Sequence, residues 1–368
     1  MKKIAVLTWF NRGRNYGQTL QAFALNHTLR RMRYQCTFLS YGRNGPRLTE
    51  EEINGLTGNA RDQQREFTRF IKEHIDYSSR LREAEDVRKY LQENSFDVAL
   101  CGSDQIWNYL LSSFEPLYMF DFPLSCPKVA YAPGMMDMGQ FSILADYPSM
   151  STWLEDFSAV SVRENASREI VKRITHGKVC PEVVLDPTLL LTQKEWLEEV
   201  VFPEVEWENY LFCYMFDMSP AQQELAQRVA RERGCTTVVY IDALGRGVPE
   251  FPGIECVPVK CASIEQFLSL IYHARAMVTD SFHGVVFSIL FEREFLALEN
   301  PVGGPERNLD RILTLLEEAG ISERLVSLGS EDMALAVAAL DYSVVNNRIA
   351  FQRIKSLEWL GEAVKGNG

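Results

Sequence analysis

The segment Thr279-Asp280-Ser281-Phe282-His283-Gly284 gathers a hydroxyl, a carboxylate and an imidazole where a strand pattern gives way to an apolar helix pattern. Histidine exchanges protons near neutral pH, and the positive end of a helix dipole favours negative charge beside it. Acid/base chemistry at His283 is the leading reading. The alternative makes Ser281 an N-cap, with His283 merely in the first turn.

Arg163 follows another strand pattern, Ala159-Val160-Ser161-Val162. A guanidinium there suits bidentate binding of a carboxylate or phosphate, and an Arg163–Glu164 or interdomain ion pair is an equal reading. Gly102-Ser103-Asp104-Gln105-Ile106-Trp107-Asn108 follows a third strand pattern. Ser103, Asp104, Gln105 and Asn108 are either substrate contacts or parts of an Asx-type turn. Asn11 to Gln18 opens a helix and carries Arg12 and Arg14. Helix starts attract anions, but solvated arginines in an ordinary turn are favoured here. No G-x-G-x-x-G fingerprint is present. Asn300-Pro301-Val302-Gly303-Gly304 precedes Arg307 and Arg311, spaced i, i+4, which could clasp an anion. Arg307 alone reads as solvated.

The remaining histidines are assigned structural or surface roles: His27 and His273 to helical stripes, His74 and His176 to the surface. The eight cysteines include no C-x-x-C and no metal-type pairing. They read as buried, reduced thiols.

These residues sit at the ends of alternating strand and helix patterns. Strands are expected at 4–8, 37–41, 96–100, 129–131, 159–162 and 183–185, then at 210–216, 236–241, 277–280 and 295–298. The alternation implies parallel sheets with right-handed crossovers. Residues 43–95 read as charged and mostly helical. Thr192-x-x-Glu195, Ser219-x-x-Gln222 and Ser263-x-x-Gln266 are capping-box signals, and Gly234 marks a helix stop. A glutamate-rich break near 191–209 divides the chain. The expected organisation is an α/β fold of two Rossmann-like domains facing a cleft: 1–200, then 201–345, then a C-terminal helix over 346–368. Ligands in such sheets bind beyond the carboxyl ends of strands.

The chain has 368 residues and a net charge of −12, which argues against a nucleic-acid binder. No apolar run reaches the ~18 residues of a bilayer span. The apolar start ends too soon for a signal peptide, so a cytoplasmic protein is expected.

Several of these pieces, taken in order, resemble polysaccharide pyruvyl transferases. They are Asn15-Tyr16-Gly17 with Leu20 to Leu25, Gly102 to Asn108, Tyr131-Ala132, Ser161 to Glu164, Leu185-Asp186-Pro187-Thr188-Leu189-Leu190, Phe267-Leu268 and Thr279 to Gly284. The resemblance spans about 1–325 and departs from the family pattern at Pro133-Gly134. It implies a GT-B-like fold and transfer of pyruvate from phosphoenolpyruvate onto two sugar hydroxyls as a cyclic ketal, in cell-surface polysaccharide or glycoconjugate synthesis. Carried over by motif, His283 is catalytic, and Arg163, Ser281, Gly284 and Arg311 bind the donor. Asn15, Tyr16, Gly17, Ser103, Asp104, Gln105 and Asn108 line the acceptor side or cleft.

No metal-ligand cluster is visible in the sequence, so no metal is expected, and the resemblance implies phosphoenolpyruvate as co-substrate with no cofactor. The implied acceptor is a sugar on a nucleotide, lipid or polymer carrier. A homo-oligomer and peripheral placement at the inner membrane face are compatible with it. Two alternatives are a nucleotide-sugar glycosyltransferase, in which Asp104 or Glu299 would contact the sugar, and a non-catalytic binding member of the family.

Overall fold

The computed structural model describes residues 1–10, 14–42, 50–111, 113–135, 149–216, 218–242, 249, 251–299, 309–327 and 338–366. Apolar runs of two to six residues form short strands, most of them buried, and helices with one apolar face cross between them. In the first half the strands are β1 (Lys3–Leu7), β2 (Gln35–Phe38), β3 (Val98–Cys101), β4 (Lys128–Ala130), β5 (Ala159–Val162) and β6 (Glu182–Val183). Its helices are α1 (Tyr16–Arg31), α2 (Glu50–Asn54), α3 (Gly58–His74), α4 (Ala84–Glu93), α5 (Met150–Glu155) and α6 (Asn165–Ile174), with α7 (Gln193–Glu199) leading out. The second half holds β7 (Tyr210–Met215), α8 (Pro220–Glu232), β8 (Thr237–Asp242), β9 (Glu255–Pro258), α9 (Ile264–His273) and β10 (Ala276–Thr279). It continues with α10 (Phe282–Leu290), β11 (Glu294–Leu298), α11 (Asp310–Ala319), β12 (Leu325–Val326) and α12 (Tyr342–Lys365).

Both sheets are parallel, in the orders β2-β1-β3-β4-β5-β6 and β12-β11-β10-β7-β8-β9. In each, the chain leaves the first strand in one direction and returns on its other side. The switch points therefore lie between β1 and β3, and between β7 and β10. Crevices at such switch points are where open α/β sheets bind ligands. The loops beyond them carry Asn15 to Gly17, Ser103 to Asn108 and Ser281 to Gly284.

The three capping boxes form at Thr192, Ser219 and Ser263, and Gly234 takes a left-handed φ of 66° just past α8. Two strands have no counterpart in the sequence reading. β9 runs Glu-Cys-Val-Pro, half-buried at a sheet edge, and β12 is two residues long; neither is long enough to carry a period.

One apolar core joins the halves. The Tyr16 ring stacks on Phe267 at 4.3 Å and 10°, and Trp196 packs between Phe23 and Phe287, both at 5.1 Å. The C-terminal helix also crosses back to the first half. The Leu185 N–H donates to Ser356 Oγ at 3.0 Å, Arg353 Nε donates to the Leu189 carbonyl at 2.6 Å, and Trp359 meets Tyr131 at 6.1 Å. α12 is thus a strap over both halves, not an appendage. Among the described residues, no helix is long and apolar enough to cross a membrane.

Two burial readings are corrected. His74 is half-buried, with Phe70 at 4.5 Å and Phe23 at 5.3 Å, because α3 turns that edge onto α1. The cysteines are all free, but only Cys36, Cys101, Cys213 and Cys235 are buried, and Cys180 is exposed. The buried ones lie on β2, β3 and β7 or just past α8, whereas Cys256 on β9 is half-buried.

Candidate active site

Ser281 caps α10, its Oγ accepting from the Gly284 N–H at 3.4 Å. Thr279 Oγ1 donates to the Tyr214 carbonyl at 2.6 Å and accepts from the Ser281 N–H at 3.0 Å. These bonds fix the turn between β10 and α10. The N-cap reading of Ser281 is therefore realised, and it places His283 in the first helical turn at the interface. Gly284 is obligatory there: a Cβ would overlap Thr279 Oγ1 and lie 2.9 Å from the Met277 methyl.

His283 meets the first half directly. A Cβ on Gly17 would overlap its imidazole, so a bare glycine backbone is what admits the ring. Its Nε2 lies 3.9 Å from Asp186 Oδ1. Asp186 is wholly buried and receives the Thr188 N–H at 3.0 Å, Thr188 Oγ1 at 2.7 Å and Arg163 Nη1 at 2.9 Å. Ser103 shares its hydroxyl hydrogen between the Ala132 carbonyl at 2.8 Å and Asp186 Oδ2 at 3.3 Å.

Arg163 is likewise buried. Its other carboxylate neighbours are Glu164 at 3.4 Å and Asp104 at 3.8 Å. So the ion-pair reading of Arg163 is correct, but within one domain rather than between two. What crosses the interface is a cation–π contact: the Arg163 guanidinium lies 4.6 Å from the Phe282 ring centroid, and Arg311 lies 5.6 Å from the same ring.

Two guanidiniums and an imidazole around one phenylalanine would repel if all were charged. Burial pushes the His283 pKa down to about 4; Asp186 and Asp104 oppose that shift, and Arg163 and Arg311 reinforce it. Burial also lowers Arg311, with Arg163 adding to it. Desolvation would raise Asp186, yet His283, Arg163 and Thr188 together hold it below its ordinary value. The site is a buried cluster of two guanidiniums and three carboxyl groups around one neutral histidine.

Three nitrogens there have no hydrogen-bond partner: Arg163 Nη2, Arg311 Nε and His283 Nε2, all sequestered from solvent. Buried donors are ordinarily satisfied. The two guanidinium nitrogens are what an oxyanion-bearing ligand would complete, while His283 Nε2 faces Asp186.

The other sequence candidates divide. Asp104 is buried, left-handed at φ 73°, and faces Arg163. Gln105 is buried with an unpartnered Nε2. Asn15 Oδ1 accepts from the Gln18 N–H at 3.1 Å, capping α1. Asn108 is buried and accepts from the Leu110 N–H at 3.2 Å, as the Asx-turn reading has it.

Tyr16, grouped with the cleft, is instead interdomain core. Its hydroxyl donates to the Ala262 carbonyl at 2.8 Å and accepts from Gln63 at 2.9 Å. Arg14, read as solvated, donates to the Ala60 carbonyl at 3.1 Å. Arg12, the 300–304 loop and Arg307 lie outside the described residues. Asp186 and Phe282 stand inside the sequence motifs with no role that their neighbours in sequence suggest. Their signal was position: one opens a turn after β6, and the other precedes the histidine. Among the described residues, no group of three His, Cys, Asp or Glu side chains could hold a metal ion.

The sequence pattern of polysaccharide pyruvyl transferases matches residues 15–301. The chain belongs to that family. The span includes His283 and Arg163 and ends before Arg311. No curated protein matches the chain.

Solved structures of the same shape relate this pyruvyl transferase family member to GT-B enzymes. UDP-GlcNAc 2-epimerase from Neisseria meningitidis, bound to UDP-GlcNAc, superposes with a TM-score of 0.58 at 10% identity, covering 99% of this chain and 98% of its own. A putative UDP-N-acetylglucosamine 2-epimerase from Listeria monocytogenes gives 0.55 at 11%, covering 96% and 90%. Arabidopsis thaliana UGT89C1 gives 0.52 at 11%, covering 98% and 99%. At such identities the likeness is one of fold: two Rossmann-like domains of GT-B type about a cleft.

Proposed function

We propose that this protein transfers pyruvate from phosphoenolpyruvate to two hydroxyls of a sugar, forming a cyclic ketal and releasing phosphate, in cell-surface polysaccharide or glycoconjugate synthesis. The observation that carries the reading is the pair of buried guanidinium nitrogens without a hydrogen-bond partner, Arg163 Nη2 and Arg311 Nε, around Phe282 and beside His283. A donor with a carboxylate and a phosphate on one carbon matches two guanidiniums and a helix start.

The chemistry follows from the charges. With burial and the two arginines holding its pKa down to about 4, His283 is neutral near pH 7. A bound donor brings negative charge against Arg163 and Arg311, cancelling the field that disfavours the imidazolium. His283 then takes up a proton and delivers it to the methylene carbon of the donor. The carbon–carbon double bond becomes a methyl group, and positive charge develops at C2, shared with the bridging oxygen. One sugar hydroxyl adds at C2 and gives up its proton. The C2–O bond to phosphate breaks, the second hydroxyl adds, and its proton leaves. One proton has gone to the methyl group and two have come from the hydroxyls. The surplus proton leaves on phosphate. The arginines hold the donor's charge and the departing phosphate throughout.

The acceptor enters from the side of Asp104 and Gln105, on a nucleotide, lipid or polymer carrier. The donor is a cytoplasmic metabolite, so the reading puts the enzyme in the cytoplasm, with peripheral membrane contact if the carrier is a lipid.

The test is isothermal titration of phosphoenolpyruvate into the wild type and Arg311→Met, followed by phosphate release with a panel of sugar diols and mass spectrometry of the products. Donor binding that weakens in the variant, with a ketal product, is expected. Heat only from a UDP-sugar, with none from phosphoenolpyruvate, would overturn the reading.

A further inference from the structure

The site contains a carboxylate with no role in the donor chemistry so far. Asp186 comes from the first domain, in the turn after β6, and His283 comes from the second. The two face each other at 3.9 Å. We propose that Asp186 is the positioning carboxylate of His283, contributed across the domain interface to hold the imidazolium when the acid is charged. The proposal rests on the pyruvyl-transfer reading for the purpose of that charge, but the pairing has its own test.

The geometry is specific. The imidazole is wedged between the Gly17 backbone and Asp186, because a side chain on Gly17 would occupy its place. The Nε2 atom has no hydrogen-bond partner and is buried. Asp186 Oδ1, the atom it faces, already accepts from Thr188 N and Oγ1, while Oδ2 accepts from Arg163 and Ser103. A carboxylate so well supplied with donors stays ionised, so it can stabilise a charge beside it without taking the proton.

The competing charges make such a partner necessary. Arg163 from the end of β5 and Arg311 from α11 both oppose protonation of His283. Asp104 beyond β3 acts with Asp186. Glu164 is engaged elsewhere, accepting from Ser167 Oγ at 2.8 Å and the Met135 N–H at 3.1 Å. A buried imidazolium between two guanidiniums needs the nearest anion in place. Because that anion belongs to the other domain, parting the domains would deprive His283 of it.

The test uses full-length protein with isotope-labelled histidine, in which the His283 signal is the one lost in His283→Gln. Its protonation midpoint is followed by NMR in donor-free wild type, Asp186→Asn and Thr188→Val. Asp186→Asn should bind the His283 proton about tenfold more weakly or worse, about one pH unit lower. Thr188→Val should act oppositely: removing one donor from Oδ1 leaves more charge facing His283, and the midpoint should rise.

A purely structural Asp186 would move His283 in neither direction. Unchanged midpoints in the folded variants, or a shift of the wrong sign, would overturn the proposal. If Asp186→Asn does not fold, Thr188→Val decides alone. Because the donor is absent, a wild type that fails to turn over phosphoenolpyruvate would overturn the transfer reading, while the predicted shifts would still establish the pair.

Discussion

Asp310 Oδ2 accepts a hydrogen bond from the Ala166 N–H at 2.7 Å, so a residue of the second domain caps a helix of the first. Thr314 Oγ1 receives the neighbouring Asn165 N–H at 3.2 Å. The residues next to these contacts are the arginines: Arg163 precedes α6, and Arg311 follows Asp310. One cross-domain cap therefore sets the register of both guanidiniums on Phe282.

Asp310→Ala should cost about 1 kcal/mol of stability as an ordinary lost cap. Its larger effect should be on the donor, because Arg311 loses its anchor. We expect the KM for phosphoenolpyruvate to rise severalfold, with kcat changed less. Thr314→Val, which removes the other cap but leaves Asp310, should move KM less. Steady-state kinetics of the two variants beside calorimetric unfolding separate the effects; equal KM values would refute the registering role.

His283→Gln keeps a polar side chain of similar reach and removes the proton. Turnover should fall by about 10²–10⁴-fold, the usual worth of a general acid. Binding of phosphoenolpyruvate should remain within a few-fold, since Arg163 and Arg311 are untouched. Near-wild-type turnover would remove His283 from the mechanism.

The same histidine couples stability to pH. Its pKa is about 4 in the folded protein, below the 6.5 of an ordinary histidine. Between those values the unfolded chain holds a proton that the folded chain rejects. Stability should therefore fall as pH drops from about 6.5 towards 4, by on the order of 2–3 kcal/mol from this group. In His283→Gln the slope of Tm against pH over that window should be shallower. Phosphoenolpyruvate, by favouring the imidazolium, should flatten it in the wild type as well. Parallel slopes in wild type and variant would show that His283 does not titrate in this window.

How much of this was legible depended on the range of the interactions. Strands such as Tyr210–Met215 and caps such as Ser219–Gln222 are set by neighbours in sequence, and both were readable. Arg163, Arg311 and His283 could be picked out by type and by place at strand or helix ends. Their convergence on Phe282 could not, because it depends on how two domains dock. Tyr16 shows the limit from the other side. Its motif position suggested the cleft, but the stack on Phe267 and the bond to Ala262 are contacts some 250 residues away in sequence. The strap made by α12 is equally invisible, since Ser356 caps the Leu185 N–H from the far end of the chain.

Gly17 sets stability and function against each other. It lies in the first turn of α1, where alanine would ordinarily favour the helix by up to about 1 kcal/mol. Here the added Cβ would overlap the His283 ring. The ring can yield by rotating, because the obstructed group is a side chain and not backbone. Rotation, however, would carry Nε2 away from Asp186 and from the unpartnered nitrogens of Arg163 and Arg311. Gly17→Ala should therefore leave Tm within a few degrees of wild type while lowering kcat at least about tenfold. Its His283 midpoint should also move, because the ring has changed neighbours. A folded Gly17→Ala protein with full turnover would mean that the placement of the imidazole against α1 does not matter to the reaction.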